Sequence, residues 1–313
     1  MCFRFRMNFG RGGKDYASEV WNEGFVGIWQ GQWTPEDLEK AANSCRPTKG
    51  YVTGEGLARA LNELISSRGS PSNISPQGAG AALRFEEMLA GIWVFTCFDR
   101  AIHMAQIAEA ELRVLPQFNH NGEIFKAKPI MAKKTFRLAE LPPSFLLLPS
   151  AGRGSVYKVP SCSVLLKLLV DHESASEVTA AFDVLPWDMW IAALGPKGWE
   201  SLCLGYLIQE HRFLPTGLSV GGTLADFDIV GRLRSGETVY AQCKGDPRLH
   251  YITLDEGEAF ASLPDGKKFF FARSGVNRKL PGVTHLDEPL IVEWLTHSEA
   301  GLEYFRLLRP LTR

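Results

Sequence analysis

The segments ADFDIVGR (residues 225–232) and TVYAQCK (residues 238–244) decide the fold of the C-terminal half of the chain. Side chains alternate between two faces along each segment, which indicates two β-strands. Between them, the residues RSG at 234–236 form a candidate three-residue hairpin loop, in which Gly236 takes the left-handed conformation. The sequence therefore predicts an antiparallel hairpin here.

The length of this loop determines which residues face each other. With three loop residues, Asp228 lies directly opposite Gln242, and directly opposite residues share a face. A two-residue loop would place Asp228 opposite Cys243 and would separate the polar groups. Lys244 lies two residues after Gln242 and therefore shares its face. The three-residue loop predicts one polar cluster of Asp228, Gln242 and Lys244.

A predicted helix over residues 199–210 precedes the hairpin. Its apolar side chains recur with the spacing of one helical face, which would pack on the sheet: Trp199, Leu202, Cys203, Tyr206 and Leu207. Glu200 lies beside this face. A carboxylate directed at an apolar interior is costly unless it is paired or binds a cation. Glu200 is therefore a candidate metal ligand, and the alternative is a carboxylate that stabilises the start of the helix dipole.

Together, Glu200, Asp228 and Gln242 would offer oxygen ligands beside the ammonium group of Lys244. Such ligands suit Mg²⁺ or Mn²⁺. A metal can polarise a phosphate and acidify water, and a lysine can stabilise the charge that develops, so the set predicts phosphodiester hydrolysis. Taken singly, Asp228 could be a turn or strand-end residue and Lys244 an exposed lysine, so the prediction depends on their coincidence.

This arrangement resembles the PD-(D/E)xK nuclease superfamily, and within it the Mrr-like restriction endonucleases. Their pattern is a helix glutamate, an Ile-Asp strand start and a Gln-x-Lys strand. The resemblance implies that Asp228 is the metal-binding acid, Gln242 the second metal ligand, Lys244 the catalytic lysine and Glu200 the helix acid. The backbone carbonyl of Cys243 would be a further ligand. The implied activity is that of a Mg²⁺-dependent DNA endonuclease of a restriction or anti-phage defence system.

The likeness covers roughly residues 185–295 and departs from the family in two places. The family usually has Gly-x-Asp ahead of its Ile-Asp, whereas residues 225–227 are ADF here, so Asp226 is either a second ligand or a solvated residue. The stretch after Lys244 is short and contains Pro247. The helix that usually follows is therefore expected to be trimmed.

The order of predicted elements indicates an α/β fold class with three regions. Residues 1–155 are expected to form a small α+β N-terminal domain, and residues 156–184 a connecting helix and linker. Residues 185–313 are expected to form a restriction-endonuclease-like α/β sandwich on a mixed sheet. Its predicted elements are helices over 187–194 and 199–210, strands over 225–232 and 238–244, a helix over 254–262, strands over 268–272 and 283–286, and a helix over 288–296.

In the N-terminal part, residues 25–29 and 92–95 are predicted strands, and a helix is predicted to start at Thr34. Residues 66–80, rich in Pro, Gly and Ser, are predicted to form a mobile loop. Three tryptophans in this part could line a base-binding pocket or belong to the core: Trp21, Trp29 and Trp33.

A second, fainter resemblance lies at the N-terminus, in FGRGGKDY (9–16) followed by EGFVGIW (23–29). These segments are similar to the N-terminal domain that precedes Mrr-like catalytic domains in some predicted restriction endonucleases. The resemblance implies a domain that reads DNA or a modification on it. A local basic patch with interleaved aromatic residues could contact phosphates, with a solvated charged face as the alternative: Lys126, Lys128, Lys133, Lys134 and Arg137.

Composition limits the remaining possibilities. Lys and Arg number 34 against 35 Asp and Glu, so no global basic excess indicates nucleic-acid binding. The six cysteines are scattered, which favours reduced thiols over a zinc site or disulfides. The chain shows no signal peptide, no membrane-spanning apolar run and no phosphate-binding loop, so we expect a cytoplasmic protein that does not use ATP.

The sequence thus predicts a metal-dependent DNA endonuclease, with DNA, in some cases modified, as its partner. A homodimer is expected if both strands are cut, since one such site cleaves one strand at a time. The alternatives are a non-catalytic nucleic-acid-binding protein on the same fold and a DNA-repair nuclease with the same chemistry.

Overall fold

The computed structural model of the chain divides into two compact units, each with its own β-sheet. The N-terminal unit comprises residues 1–141 and 148–178, and the C-terminal unit comprises residues 142–147 and 179–313. The structure describes residues 2–5, 7, 16–29, 31–45, 52–70, 72–120, 122–150, 156–159, 163–216, 227–245, 254–276 and 278–308.

The N-terminal unit is built on a sheet to which the described residues contribute seven strands: β1 (Cys2–Phe5), β2 (Phe25–Trp29), β3 (Trp93–Phe98), β4 (Ala101–Ile107), β5 (Arg113–Val114), β6 (Phe125–Arg137) and β7 (Val156–Lys158). Their order is β2-β6-β4-β3-β1-β7, with β5 also pairing with β6. The pair of β1 and β3 is parallel, and the other pairs are antiparallel. Both predicted strands of this region are present, as β2 and β3.

Helices α1 (Ala17–Asn22), α2 (Pro35–Cys45), α3 (Gly54–Ser66) and α4 (Pro76–Glu86) accompany this sheet. Helix α2 starts after Thr34, as predicted: the backbone N–H of Thr34 donates to Asp37 Oδ2 at 2.9 Å, and the N–H of Asp37 donates to Thr34 Oγ1 at 3.3 Å. The predicted loop over residues 66–80 is wrong in its second half. Ser75 caps α4 by accepting the N–H of Gly78, and proline is well suited to the first helical position that follows.

The aromatic residues near the start of the chain belong to the core of this unit. Trp21, Trp29 and Trp33 are all buried. Trp29 also donates its indole N–H to the carbonyl oxygen of Phe118 at 2.8 Å. The core interpretation of these tryptophans is therefore correct.

Residues 156–184 do not form one connecting helix and a linker. Strand β7 belongs to the N-terminal sheet, and two helices follow it, α5 (Ser163–Asp171) and α6 (Ala175–Asp183). Between the helices, Glu177 Oε2 accepts the N–H of Ser174 at 3.2 Å while Ser174 Oγ accepts the N–H of Glu177 at 3.3 Å. This reciprocal pair is a capping box, which starts a new helix where we expected a linker.

The C-terminal unit contains a mixed sheet with five strands in its described part: β8 (Phe213–Pro215), β9 (Ile229–Leu233), β10 (Thr238–Lys244), β11 (Lys267–Ala272) and β12 (Val283–Leu286). Their order is β12-β11-β10-β9-β8. Strands β10, β11 and β12 are parallel, whereas β9 is antiparallel to both β8 and β10. The chain has the predicted α/β fold class.

The helices of this unit are α7 (Trp187–His211), α8 (Leu254–Ala261), α9 (Glu288–His297) and α10 (Glu299–Leu308). The two helices predicted at the start of this unit are the two halves of α7. They meet at Gly195, whose φ of +63° interrupts the helical backbone and which precedes Pro196. The sequence prediction omitted β8, which is only three residues long, and α10.

Candidate metal and catalytic site

The β9–β10 hairpin has the predicted register. Leu233 donates its N–H to the carbonyl of Glu237 at 2.9 Å, which leaves three residues in the loop. Gly236 has a φ of +88°, the left-handed conformation that glycine adopts without strain. The paired residues run from Thr238 opposite Arg232 to Ala241 opposite Ile229, so Asp228 follows directly at the end of the ladder.

Asp228 contacts the neighbouring strand through its carboxylate. Its Oδ2 accepts hydrogen bonds from Nε2 of Gln242 at 2.8 Å and from the backbone N–H of Cys243 at 2.7 Å. Partial burial raises the pKa of Asp228, while the Cys243 N–H and the positive charge of Lys244 act in the opposite direction. The prediction that Asp228 and Gln242 meet on one face is therefore confirmed, and the charge of Lys244 reaches the same carboxylate.

Glu200 approaches from the second half of α7. Its side chain is half-buried, and its pKa is raised first by burial and second by the negative charge of Asp228. The positive charge of Lys197 partly offsets this effect. The charge of Asp228 thus reaches Glu200, and neither carboxylate is fully solvated.

Close packing holds α7 against β10 at this point. A Cβ atom at Gly245 would lie 2.8 Å from Cα of Pro196 and 3.2 Å from Cβ of Trp199, so only glycine fits there without a shift. One turn further along the helix, the thiols of Cys203 on α7 and Cys243 on β10 are both buried, and burial raises the pKa of each. These contacts fix the helix that carries Glu200 relative to the strand that carries Gln242.

Lys244 ends β10 at the carboxyl edge of the parallel strands. In the register of β10 and β11, Lys244 pairs with Ala272, and the backbone N–H of Arg273 donates to the carbonyl of Lys244 at 3.1 Å. Gln242 pairs with Phe270 on the same strand. The catalytic lysine of the sequence prediction therefore lies at the same edge of the sheet as Asp228.

The predicted metal site contains few acidic side chains. Across the part of the chain that the structure describes, no group of three or more His, Cys, Asp or Glu side chains could hold a metal ion. The predicted set contains only two such side chains, Glu200 and Asp228, and relies for the rest on the amide of Gln242 and the carbonyl of Cys243. Asp226 lies outside the described residues, and the role of the Cys243 carbonyl stays a prediction.

The predicted basic patch on β6 is wrong as a DNA-binding surface for two of its five residues. Lys126 and Lys128 have no exposed surface. Lys126 Nζ donates to the carbonyl of Gly31 at 2.7 Å and lies 4.1 Å from the ring centre of Trp33, and burial lowers its pKa to about 7. Lys128 Nζ donates to the carbonyls of Glu86 and Met88 at the end of α4, and burial lowers its pKa to about 8.

The other three members of the patch differ in exposure. Lys134 is mostly buried, donates to the carbonyl of Val170 at 2.6 Å and pairs with Glu173 at 2.8 Å. Lys133 is exposed and donates to the carbonyl of Trp21 at 2.5 Å. Arg137 is exposed and lies 3.7 Å from Glu140. Most of these cations are therefore engaged within the fold rather than arranged as one open surface.

The sequence interpretation missed a charged pair and a cavity at the end of β11. Arg273 Nε donates to Glu288 Oε2 at 2.5 Å, and both side chains are mostly buried. The pair borders a cavity of about 540 Å³ whose walls include Trp187, Asp188, Ser274 and Val292. The sequence contains a signal for this position, because Arg273 directly follows the apolar run FFFA of β11, which is parallel to β10.

Comparisons with protein-family models, with curated proteins and with solved structures give no match. Among the described helices, none is both long and apolar enough to cross a membrane. The resemblance to Mrr-like nucleases therefore depends on the residues of this chain alone, and so does any function assigned to the site.

Proposed function

We propose that the C-terminal unit is a metal-dependent endodeoxyribonuclease of the Mrr-like restriction type, which hydrolyses phosphodiester bonds of DNA. One observation carries the proposal: two half-buried carboxylates, Glu200 and Asp228, come from separate elements, the charge of Asp228 raises the pKa of Glu200, and the charge of Lys244 acts on Asp228. Each carboxylate has a raised pKa, mainly because it is partly desolvated.

A divalent cation would offset the repulsion between the carboxylates of Glu200 and Asp228. Two partly desolvated carboxylates that repel each other are costly when both are ionised. A cation between them replaces the repulsion by two attractions, and oxygen ligands of this kind are those that Mg²⁺ and Mn²⁺ accept. The donor set of this chain therefore fits the proposed metal.

In this proposal Glu200, Asp228 and the Oε1 atom of Gln242 hold the cation, which supplies a polarised phosphate and a more acidic water. The Nε2 atom of Gln242 and the N–H of Cys243 keep the Asp228 carboxylate in place. Lys244 adds a fixed positive charge next to the attacking water and the phosphate, where negative charge develops.

A non-catalytic nucleic-acid-binding protein is the second candidate. It is favoured by Gln242, which stands where a third carboxylate would strengthen a metal site, so that the described residues of the site supply only two acids. The same fold and the same edge of the sheet would then bind nucleic acid without cutting it.

Cleavage of supercoiled plasmid separates the two candidates. Methylated and unmethylated plasmid are incubated with Mg²⁺, Mn²⁺ or EDTA and the wild-type protein, Asp228→Ala or Lys244→Ala. We expect metal-dependent cutting by the wild type, and a loss of roughly 100-fold or more in each variant, the size seen when charge-stabilising groups are removed.

Matched controls in the same unit are Asp265→Ala and Lys279→Ala, which replace an exposed aspartate and an exposed lysine that do not belong to the predicted site. Both should cut like the wild type. Equal cutting by wild type and Asp228→Ala would contradict the proposed site. Retained DNA binding without cutting under any metal condition would favour the non-catalytic candidate.

A further inference from the structure

The nuclease chemistry proposed above does not use the cavity beside Arg273, which we call the Arg273 pocket. It has a volume of about 540 Å³ and is open to solvent, within the size range of small-molecule sites. Its residues come from the start of α7, the end of β11 and the start of α9, all within the C-terminal unit. The pocket thus lies at the carboxyl edge of the parallel strands, where ligands of α/β sheets usually bind.

The pocket and the candidate catalytic site lie at the ends of neighbouring strands but on different faces. The N–H of Arg273 donates to the carbonyl of Lys244 at 3.1 Å, and Lys244 lies opposite Ala272 in this register, so the side chains of Lys244 and Arg273 leave opposite faces of the sheet. The pocket is therefore a site of its own, whose lining does not include Lys244.

The charge of the pocket argues against a phosphate as its ligand. Arg273 is paired with Glu288, and two more acids, Asp188 and Asp287, line the walls. One cation against three acids leaves a net negative lining, which would repel a phosphate. A neutral group with both donors and acceptors is a better fit.

Among the described residues, the guanidinium of Arg273 makes one strong and one weak hydrogen bond, although its side chain is nine-tenths buried. Its Nε donates to Glu288, and its Nη2 makes only a weak contact of 3.5 Å with the carbonyl of Asp188. Arginine donating to the O6 and N7 acceptors of guanine is the commonest specific contact to a base. The exposed carboxylate of Asp188, on the same wall, can accept from the N1–H and amino group of a guanine.

We propose that the Arg273 pocket binds a guanine base of the substrate strand. Arg273 donates to one edge of the base, Asp188 accepts from the other, and the apolar walls at Trp187 and Val292 contact its ring. Both edges are free only in an unpaired base, so the base must be outside a duplex. The assignment to a substrate strand rests on the proposed function, whereas binding of the base does not.

Nucleoside binding in EDTA tests the pocket without any cleavage. Deoxyguanosine, deoxyadenosine, deoxycytidine and thymidine are titrated by ligand-observed NMR against the full chain. We expect deoxyguanosine to bind best, and its affinity to fall by roughly tenfold or more in Asp188→Asn and in Arg273→Lys. Arg273→Lys keeps a cation beside Glu288 but loses the planar fork, so the fold is preserved.

Two variants serve as controls, with thermal unfolding to verify folding. Asp265→Asn removes an exposed carboxylate away from the pocket, and Asp228→Ala removes the proposed metal ligand; both should bind deoxyguanosine like the wild type. Equal binding of the four nucleosides, no binding, or unchanged binding in Asp188→Asn and Arg273→Lys would overturn the guanine pocket.

The failure of the pocket and the failure of the nuclease are distinguishable. A protein that cuts DNA through Asp228 and Lys244 but binds no nucleoside contradicts the pocket alone. A protein that binds deoxyguanosine through Arg273 but cuts no DNA contradicts the nuclease and its substrate strand, and identifies a free guanine nucleoside as the ligand. If both hold, mapped cut sites should be enriched in guanine for the wild type and lose that enrichment in Arg273→Lys.

Discussion

The side-chain amide of Gln242 donates a 2.8 Å hydrogen bond to the carboxylate of Asp228 at the end of the β9–β10 ladder. The same carboxylate oxygen accepts the N–H of Cys243 at 2.7 Å. Two donors on one strand therefore hold the acid of the other strand before any cation is present. Such support from neighbouring groups is what orients a metal ligand.

Gln242→Glu should tighten metal binding. The substitution replaces a donor by a third carboxylate next to Asp228, so the metal-free protein gains repulsion and the metal-bound protein gains a charged ligand. We expect the affinity for Mn²⁺, measured by isothermal titration calorimetry, to rise by roughly tenfold. Gln242→Ala is the control, because it removes the donor without adding charge and should weaken binding. The idea fails if the two variants bind Mn²⁺ equally.

Glu200→Gln should stabilise the metal-free protein at neutral pH. Because burial and Asp228 raise the pKa of Glu200 in the folded state, the folded protein binds this proton more readily than the unfolded chain does. The stabilising contribution is present at acid pH and is lost as the pH rises through the folded-state pKa. The glutamine variant should therefore unfold at a higher temperature than the wild type at pH 7 in EDTA, and the difference should shrink toward pH 4.

Glu303→Gln, an exposed position on α10, is the matched control and should unfold like the wild type at both pH values. Lower stability of Glu200→Gln at pH 7 would show that Glu200 makes a favourable interaction in the absence of metal.

Gly245→Ala should damage the candidate site by separating α7 from β10. The new Cβ would lie 2.8 Å from Cα of Pro196, and overpacking of this kind costs about 1–3 kcal/mol. We expect both a lower free energy of unfolding and weaker Mn²⁺ binding. Gly282→Ala is the control, since its φ of +69° makes alanine strained while no atom lies within 4 Å of the new Cβ. That variant should lose stability but bind Mn²⁺ normally, and unchanged metal binding in Gly245→Ala would contradict the packing argument.

Lys126→Met should flatten the pH dependence of stability of the N-terminal unit. Burial lowers the pKa of Lys126 to about 7, far below the usual lysine value, so between pH 7 and about 10 the unfolded chain holds a proton that the folded protein lacks. The free energy of unfolding contributed by this group therefore rises with pH across that window. Urea unfolding at pH 7, 8 and 9 should show the rise in the wild type and much less of it in the variant.

Lys40→Met replaces an exposed lysine on α2 and should keep the wild-type slope. A wild-type slope retained in Lys126→Met would show that Lys126 stays protonated in the fold, held by Gly31 and Trp33.

The hairpin could be predicted from sequence because local chemistry determines it. A three-residue loop with glycine at its last position fixes the register, and the register places Asp228 beside Gln242. The helix that carries Glu200 was likewise visible from its apolar face. Nothing local could reveal the contact of Pro196 with Gly245, because it joins segments that are almost fifty residues apart.

The basic patch was predicted wrongly because the packing that buries its lysines is not local in sequence. Lys126 and Lys128 alternate with apolar residues on β6, which on an edge or open face would expose them. Here both faces of β6 are covered in this stretch. The ammonium group of Lys126 contacts Trp33 and the carbonyl of Gly31. The ammonium group of Lys128 contacts the carbonyls of Glu86 and Met88 at the end of α4. Lysines that complete a helix end cannot be distinguished by spacing from lysines that contact phosphates.

The interruption at Gly195 makes α7 two helices in electrostatic terms. The half from Pro196 to His211 has its own axis and therefore its own macrodipole, equivalent to about half a positive charge at its start. That end lies against Gly245, one residue beyond Lys244, and Glu200 follows within about a turn. A continuous helix would place neutral mid-helix backbone there. A single glycine with a positive φ thus gives Glu200 a weak permanent counter-charge that requires no side chain.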